Sequence, residues 1–210
     1  MSNIKTHRRI TKRAYRLLSD NLKDKSFPKY WKISLYDRFL NPDIIDVTKF
    51  IKGYDRKNHL NSENRKQSIE RVKKHFDHLV KSLEKGVGSA KDASWLSHFI
   101  VDSLEPAHLI EWKVPDNRKK SLSNLKYHRW LERRGKKSKI QTYNSLLKNL
   151  DVSVTKYLEK VSDDLRLLPL MNFYPYDPKL ATKIYEKDII PQQIRLVASI
   201  WYKALVEARS

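Results

Sequence analysis

Residues 89–108 read SAKDASWLSHFIVDSLEPAH and follow directly on the break Gly86-Val87-Gly88. From Ser89 onward, Ala93, Trp95, Leu96, Phe99, Ile100, Val101 and Leu104 recur at three- and four-residue spacing, which predicts an apolar helix. Pro106 lacks an N–H, and its ring clashes with the carbonyl of Asp102, so the helix kinks or stops there. Inside this apolar segment sit His98 and Asp102, four residues apart and therefore on one helical face. An imidazole or carboxylate left without a partner in such surroundings is costly. A metal ion or a buried ion pair has to satisfy both.

Helical spacing extends outward in both directions. The chain has four glycines, and no pair of alternating β-rich runs flanks a turn signal. Ile4 to Leu22 predicts an amphipathic helix with Ile10, Ala14, Leu17, Leu18 and Leu22 on one face. Phe27 to Leu60 holds Pro28, Pro42 and Gly53 and predicts loop with short helices. Ser62 to Leu83 predicts a long charged helix that ends at the Gly86–Gly88 break. Further helices are expected at Leu122–Arg134, closed by Gly135, and at Ile140–Leu168 and Pro191–Ala208. The proline-rich stretch Pro169 to Pro178 separates the last two. Without an internal repeat or low-complexity linker, these segments predict one all-α, multi-helix domain over residues 1–210. Residues 140–210 serve as scaffold helices.

At 210 residues and 25.0 kDa the chain is long enough to bury a core of its own. It has no cysteine, which excludes disulfides and thiolate metal sites and leaves histidine and carboxylate as ligands for any metal. No stretch approaches the roughly 18 apolar residues of a membrane span. The N-terminal run MSNIKTHRRITKRAYRLL lacks an apolar core of signal-peptide type, so a cytoplasmic chain with room for peripheral membrane association is expected. Lys+Arg 44 against Asp+Glu 24 gives a net charge of +20. Between Lys113 and Lys139 eleven basic residues face two acidic ones, a net of +9 in 27 residues. Such a balance favours phosphate-rich partners, whether an anionic phospholipid surface or single-stranded nucleic acid.

Seven histidines are present: His7, His59, His75, His78, His98, His108 and His128. Beyond the Pro106 break, His108 can turn back toward the cavity that His98 and Asp102 face. His128 and Glu132 repeat the four-residue spacing on the following predicted helix. His75 and His78 fall outside this arrangement and read as the polar face of the Ser62–Leu83 helix.

The segment Ser97-His98-Phe99-Ile100-Val101-Asp102-Ser103-Leu104-Glu105-Pro106-Ala107-His108 resembles the central ligand motif of the zinc-dependent phospholipase C family, which shares its fold with fungal single-strand-specific nucleases. Thr6-His7-Arg8-Arg9-Ile10-Thr11 is similar to that family's first helix, with His7 as ligand. The resemblance spans residues 6–132 and implies a helical domain with a metal cluster between its helices, holding two or three zinc ions. His7, Asp43, His59, His98, Asp102, His108, His128 and Glu132 are the implied ligands. Asp102 is the bridging carboxylate, and His128 and Glu132 hold a separate metal together with His108. At the position of Asp43, Asp46 and Asp37 are alternatives. Two departures stand out. The tryptophan that opens the mature chain of secreted members is absent, leaving Ser2 to offer its amine and carbonyl, and Val101 stands where a glycine usually precedes the bridging aspartate.

The implied activity is phosphodiester hydrolysis by a metal-bridged hydroxide, with Asp102 holding the metals and Asp43 orienting the water. Arg118, Lys119, Lys120, Arg129 and Arg133, with Arg134 beside them, are expected to ring the site and hold phosphate. A phospholipase C-like hydrolase is the first expectation and a nuclease of the same fold the second. A non-catalytic metal-containing protein that binds polyanions is the third.

Overall fold

The most apolar helix of the chain lies at its centre. In the computed structural model, which describes residues 4–20, 26–40, 42, 64–105, 153–166 and 178–210, the described residues form helices and no strand. They are α1 (Ile4–Ser19), α2 (Tyr30–Phe39), α3 (Asn64–Glu84), α4 (Ala90–Ser103), α5 (Val154–Arg166), α6 (Pro178–Ile184) and α7 (Ile190–Glu207), with a π-helical turn at Tyr185–Ile189 between the last two. Along α7, Ile190, Ile194, Leu196, Val197, Ala198, Ile200, Trp201, Ala204 and Leu205 are buried over most of its circumference. A helix apolar on all sides needs protein on all sides. Helices α1, α3 and α4 supply it.

Of the predicted face of α1, Ile10, Ala14, Leu17 and Leu18 are buried as expected, and Leu22 lies outside the described residues. Helix α4 is flanked by α1, α2 and α3 and buries every residue from Leu96 to Ser103. At the centre, Trp201 donates its indole N–H to the carbonyl of Ala93 at 3.1 Å and lies 5.4 Å from the ring of Phe27. Gln193 of α7 likewise donates to the carbonyl of Val101 at 3.2 Å. Among the described residues no helix is long and apolar enough to cross a membrane.

The break between α3 and α4 shows how local chemistry sets the crossing. Gly86 adopts a positive φ of 74°, its N–H bonds the carbonyl of Leu83, and the N–H of Val87 bonds that of Ser82. This is the left-handed glycine cap that ends helices. Three residues later Ser89 restarts the helix by accepting the Asp92 N–H at 3.1 Å. Helices α3 and α4 consequently run back to back as a tight pair.

The segment expected to be loop with short helices contains one such helix, the ten-residue α2, whereas α6 with its π turn begins at Pro178, where no element was expected. In α2 the outer face carries Trp31, Leu35 and Phe39 and the inner face Ile33 and Asp37, so apolar residues stand on both sides and the helical period is blurred. The predicted helix Leu122–Arg134 and residues 140–152 of the Ile140–Leu168 prediction lie outside the described residues.

Gly88 sits where three pieces of chain meet. A Cβ there would come within 2.7 Å of Pro28 Cδ and 2.9 Å of both Leu83 Cδ2 and the Ser26 carbonyl. Gly88→Ala is therefore expected to lower stability by about 1–3 kcal/mol through overpacking. Val87→Ala, at a side chain 75% exposed, should stay within about 0.5 kcal/mol. Urea unfolding of the two variants checks the contrast, and equal midpoints would refute it.

Candidate metal centre

Three helices deliver polar side chains to one buried place. Helix α4 contributes Ser94, Ser97, His98 and Asp102, all buried because α1 and α2 cover this side. Helix α1 contributes Thr6, His7 and Thr11, which lie on the edge of its apolar face. Helix α2 contributes Asp37, one turn after the buried Ile33 and 5% exposed. The indole of Trp95 fixes the end of α2 by donating to the Leu40 carbonyl at 2.9 Å.

Asp102 is the focus. Its Oδ2 lies 3.1 Å from His98 Nε2 and its Oδ1 3.5 Å from His7 Nε2. The two imidazoles stack with centroids 4.6 Å apart and planes 29° apart, so one carboxylate turns an oxygen to each ring. The sequence-predicted residues His7, His98 and Asp102 are thus brought together, with His7 on α1 91 positions before His98 on α4. Asp43, His59, His108, His128 and Glu132 lie outside the described residues, as do Arg118, Lys119, Lys120, Arg129 and Arg133. Of the three aspartates weighed for the second carboxylate, Asp37 is within the described set, and it feels the charge of His98.

Around these ligand types lies a shell of hydroxyls that sequence reasoning missed. Ser94 donates to Asp37 Oδ1 at 2.5 Å, Thr11 also bonds the Asp37 carboxyl, and the hydroxyls of Thr11 and Ser97 are 2.9 Å apart. Burial pushes the Asp37 carboxyl up to about 6, against the pull of the Ser94 bond, the His98 charge, the Thr11 bond and the Arg8 charge. Serine and threonine are common on surfaces, so only the register of Ser94, one turn before His98 on the same face, carried a signal.

Imidazole nitrogen and carboxylate oxygen are donor types that Zn2+ takes, and atoms sharing an ion at 2.0–2.2 Å in tetrahedral geometry lie about 3.3 Å apart. The 3.1 and 3.5 Å separations fall on different oxygens of Asp102, so each describes one histidine–carboxylate pair of that spacing. Among the described residues, the group of three whose donor atoms all lie within 4.8 Å of one another is His75, His78 and Asp92.

His75 corrects an expectation. Its ring is 6% exposed and does not belong to a solvated face. Its Nδ1 makes a 2.7 Å hydrogen bond to Asp92 Oδ1 of α4 and its ring stacks on Phe99 at 5.6 Å. His75 falls between Val72 and Leu79 at helical spacing, which was the signal for burial. The charged neighbours Lys73 and Lys74 masked it. His78, 49% exposed at its side chain, fits the polar-face reading better, although its Nδ1 is 3.5 Å from the same Asp92 oxygen.

Because the folded carboxyl of Asp37 titrates near 6 and its unfolded value is 3.8, the folded chain keeps a proton between these values that the unfolded chain releases. This contribution to stability is full below the window, falls as pH rises through it and levels off above. In metal-free protein Asp37→Asn should match the wild type near pH 4 and exceed it at pH 7 by at most about 3 kcal/mol. Urea unfolding at both pH values in a chelator measures this, and a difference that does not change with pH would contradict it. Compared with known protein families, curated proteins and solved structures, the chain matches none.

Proposed function

We propose that the chain is a zinc-dependent phosphodiester hydrolase similar to the phospholipase C family. The convergence of His7 and His98 on opposite oxygens of the buried Asp102 carries this proposal. Each of the three occupies the position that the resemblance assigns to a ligand, and nothing in helix packing alone requires two stacked imidazoles at a buried carboxylate.

His7 and His98 bind as neutral imidazoles, and Asp102 offers one oxygen toward each. A zinc ion held by His7, His98 and Asp102 would supply Lewis acidity and lower the pKa of a bound water. Ser94 and Thr11 hold the Asp37 carboxyl in place beside His98. Covered by α1, α2 and α4, the cluster is shielded from bulk water, which strengthens each charge interaction within it.

The outer face of α2 favours a lipid over a nucleic-acid phosphodiester. Trp31, Leu35 and Phe39 recur every fourth residue and are 58%, 48% and 54% exposed, with Leu40 beside them. Lys32 lies over the Trp31 ring and Arg38 over that of Phe39. Aliphatic side chains add nothing to base stacking, whereas an apolar stripe edged by cations suits an anionic headgroup boundary.

His98→Ala is expected to lose at least one zinc ion per chain. It should also lose phosphodiesterase activity by more than the roughly 10–100-fold that removal of an outer partner costs. Metal analysis and hydrolysis of anionic vesicles against single-stranded DNA at matched salt measure both. Unchanged zinc in the variant would sink the site. Preferential DNA cleavage would move the function to the nuclease reading, and zinc without hydrolysis of either substrate to a non-catalytic polyanion-binding protein.

A further inference from the structure

We infer that His75, His78 and Asp92 form a second divalent-metal site, separate from the His7, His98 and Asp102 cluster and selective for zinc or another ion that prefers imidazole. The site lies between α3 and α4. His75 and His78 are three residues apart on α3, hence on one face, and Asp92 stands in the first turn of α4 against them. His75 Nδ1 is 2.7 Å and His78 Nδ1 3.5 Å from the same oxygen, Asp92 Oδ1, and the three donor atoms all lie within 4.8 Å of one another.

The surroundings hold these donors ready. Ser89 donates to Asp92 Oδ2 at 2.5 Å, which fixes the carboxylate and turns Oδ1 toward the two imidazoles. The His75 ring is wedged against Phe99, in a stack of 5.6 Å and 18°, and edge-on to Trp95 at 5.1 Å, so it cannot swing away. Rigid support of this kind separates a usable ligand set from a chance grouping. His78 is half-exposed and leaves the remaining coordination positions facing water. An ion bonded to nitrogen at 2.0–2.1 Å needs neighbouring donors about 3.3 Å apart, so the 3.5 Å pair fits as it stands. The 2.7 Å pair opens by roughly half an ångström as the ion replaces the hydrogen between His75 Nδ1 and Asp92 Oδ1.

This inference is independent of the proposed hydrolase. It concerns other residues on another face of α4. An exchangeable ion here clamps the α3–α4 pair, whose packing positions His98 and Asp102 about two and three turns further along α4.

Equilibrium dialysis of the full chain against zinc, followed by elemental analysis, tests it. Wild type is expected to hold one zinc ion per chain more than His78→Ala, whatever the occupancy at His7, His98 and Asp102. The same difference of one should persist between His98→Ala and the His98→Ala/His78→Ala double variant, which separates failure of this site from failure of the inner one. Far-UV circular dichroism confirms that the half-exposed His78 can be removed without unfolding, and His78→Asn provides a second variant. Equal zinc counts in wild type, His78→Ala and His78→Asn would overturn the site.

Discussion

Burying the Asp102 carboxylate is the constraint that organises this protein. The side chain is 4% exposed on a helix otherwise clad in Leu96, Phe99, Ile100 and Leu104, and an ionised carboxylate in that setting costs several kcal/mol unless it is compensated. Compensation comes from His98 on the same helix and from His7 on α1. Because His7 must reach it, α1 is held in one register against α4, and Ile10, Ala14, Leu17 and Leu18 are thereby aimed at α7. Asp37 imposes the same demand on α2 through Ser94. Hydrophobic burial supplies most of the driving force for folding, but the polar contacts select which of several apolar packings is adopted.

Much of this frame can be read from periodicity. The inward residues of α1 and α4 follow from three- and four-residue spacing, and the Gly86–Gly88 break follows from glycine's tolerance of positive φ. The limits are also physical. Helix α2 hides because its exposed face is as apolar as its buried one, so no contrast marks the period. At the site, His98 and Asp102 are visible as a pair four residues apart. The contact with His7, 91 positions upstream of His98, depends on tertiary packing and was reachable only through a family resemblance. His75 was misjudged from its charged neighbours when its own spacing from Val72 and Leu79 pointed inward. Its partner Asp92 could be found only once α3 and α4 were known to fold back on each other.

Helix α4 thus carries a histidine–aspartate grouping on each of two faces, one turned to α1 and α2 and the other to α3. Near its C-terminal end a third polar contact joins it to the rest of the chain, where Glu105 accepts from Tyr185 at 3.1 Å and from Gln193 at 3.3 Å. Buried polar groups at such density are a poor way to gain stability, since apolar replacements of similar volume often do as well. Their concentration on a single helix makes α4 the most polar part of the described interior.

The π turn at Tyr185–Ile189 carries a consequence for how the sequence can vary. One residue more than an α-helical turn needs is accommodated there, which rotates everything upstream by roughly 100° relative to α7. Tyr185 and Ile189 are both buried there, and the Tyr185 phenol donates to Glu105. Deleting a single residue from this turn would leave a regular helix with every apolar side chain of α7 intact, yet α6 would swing a quarter-circle around the axis. Length, rather than composition, is therefore the conserved quantity to expect in this segment as the chain diverges.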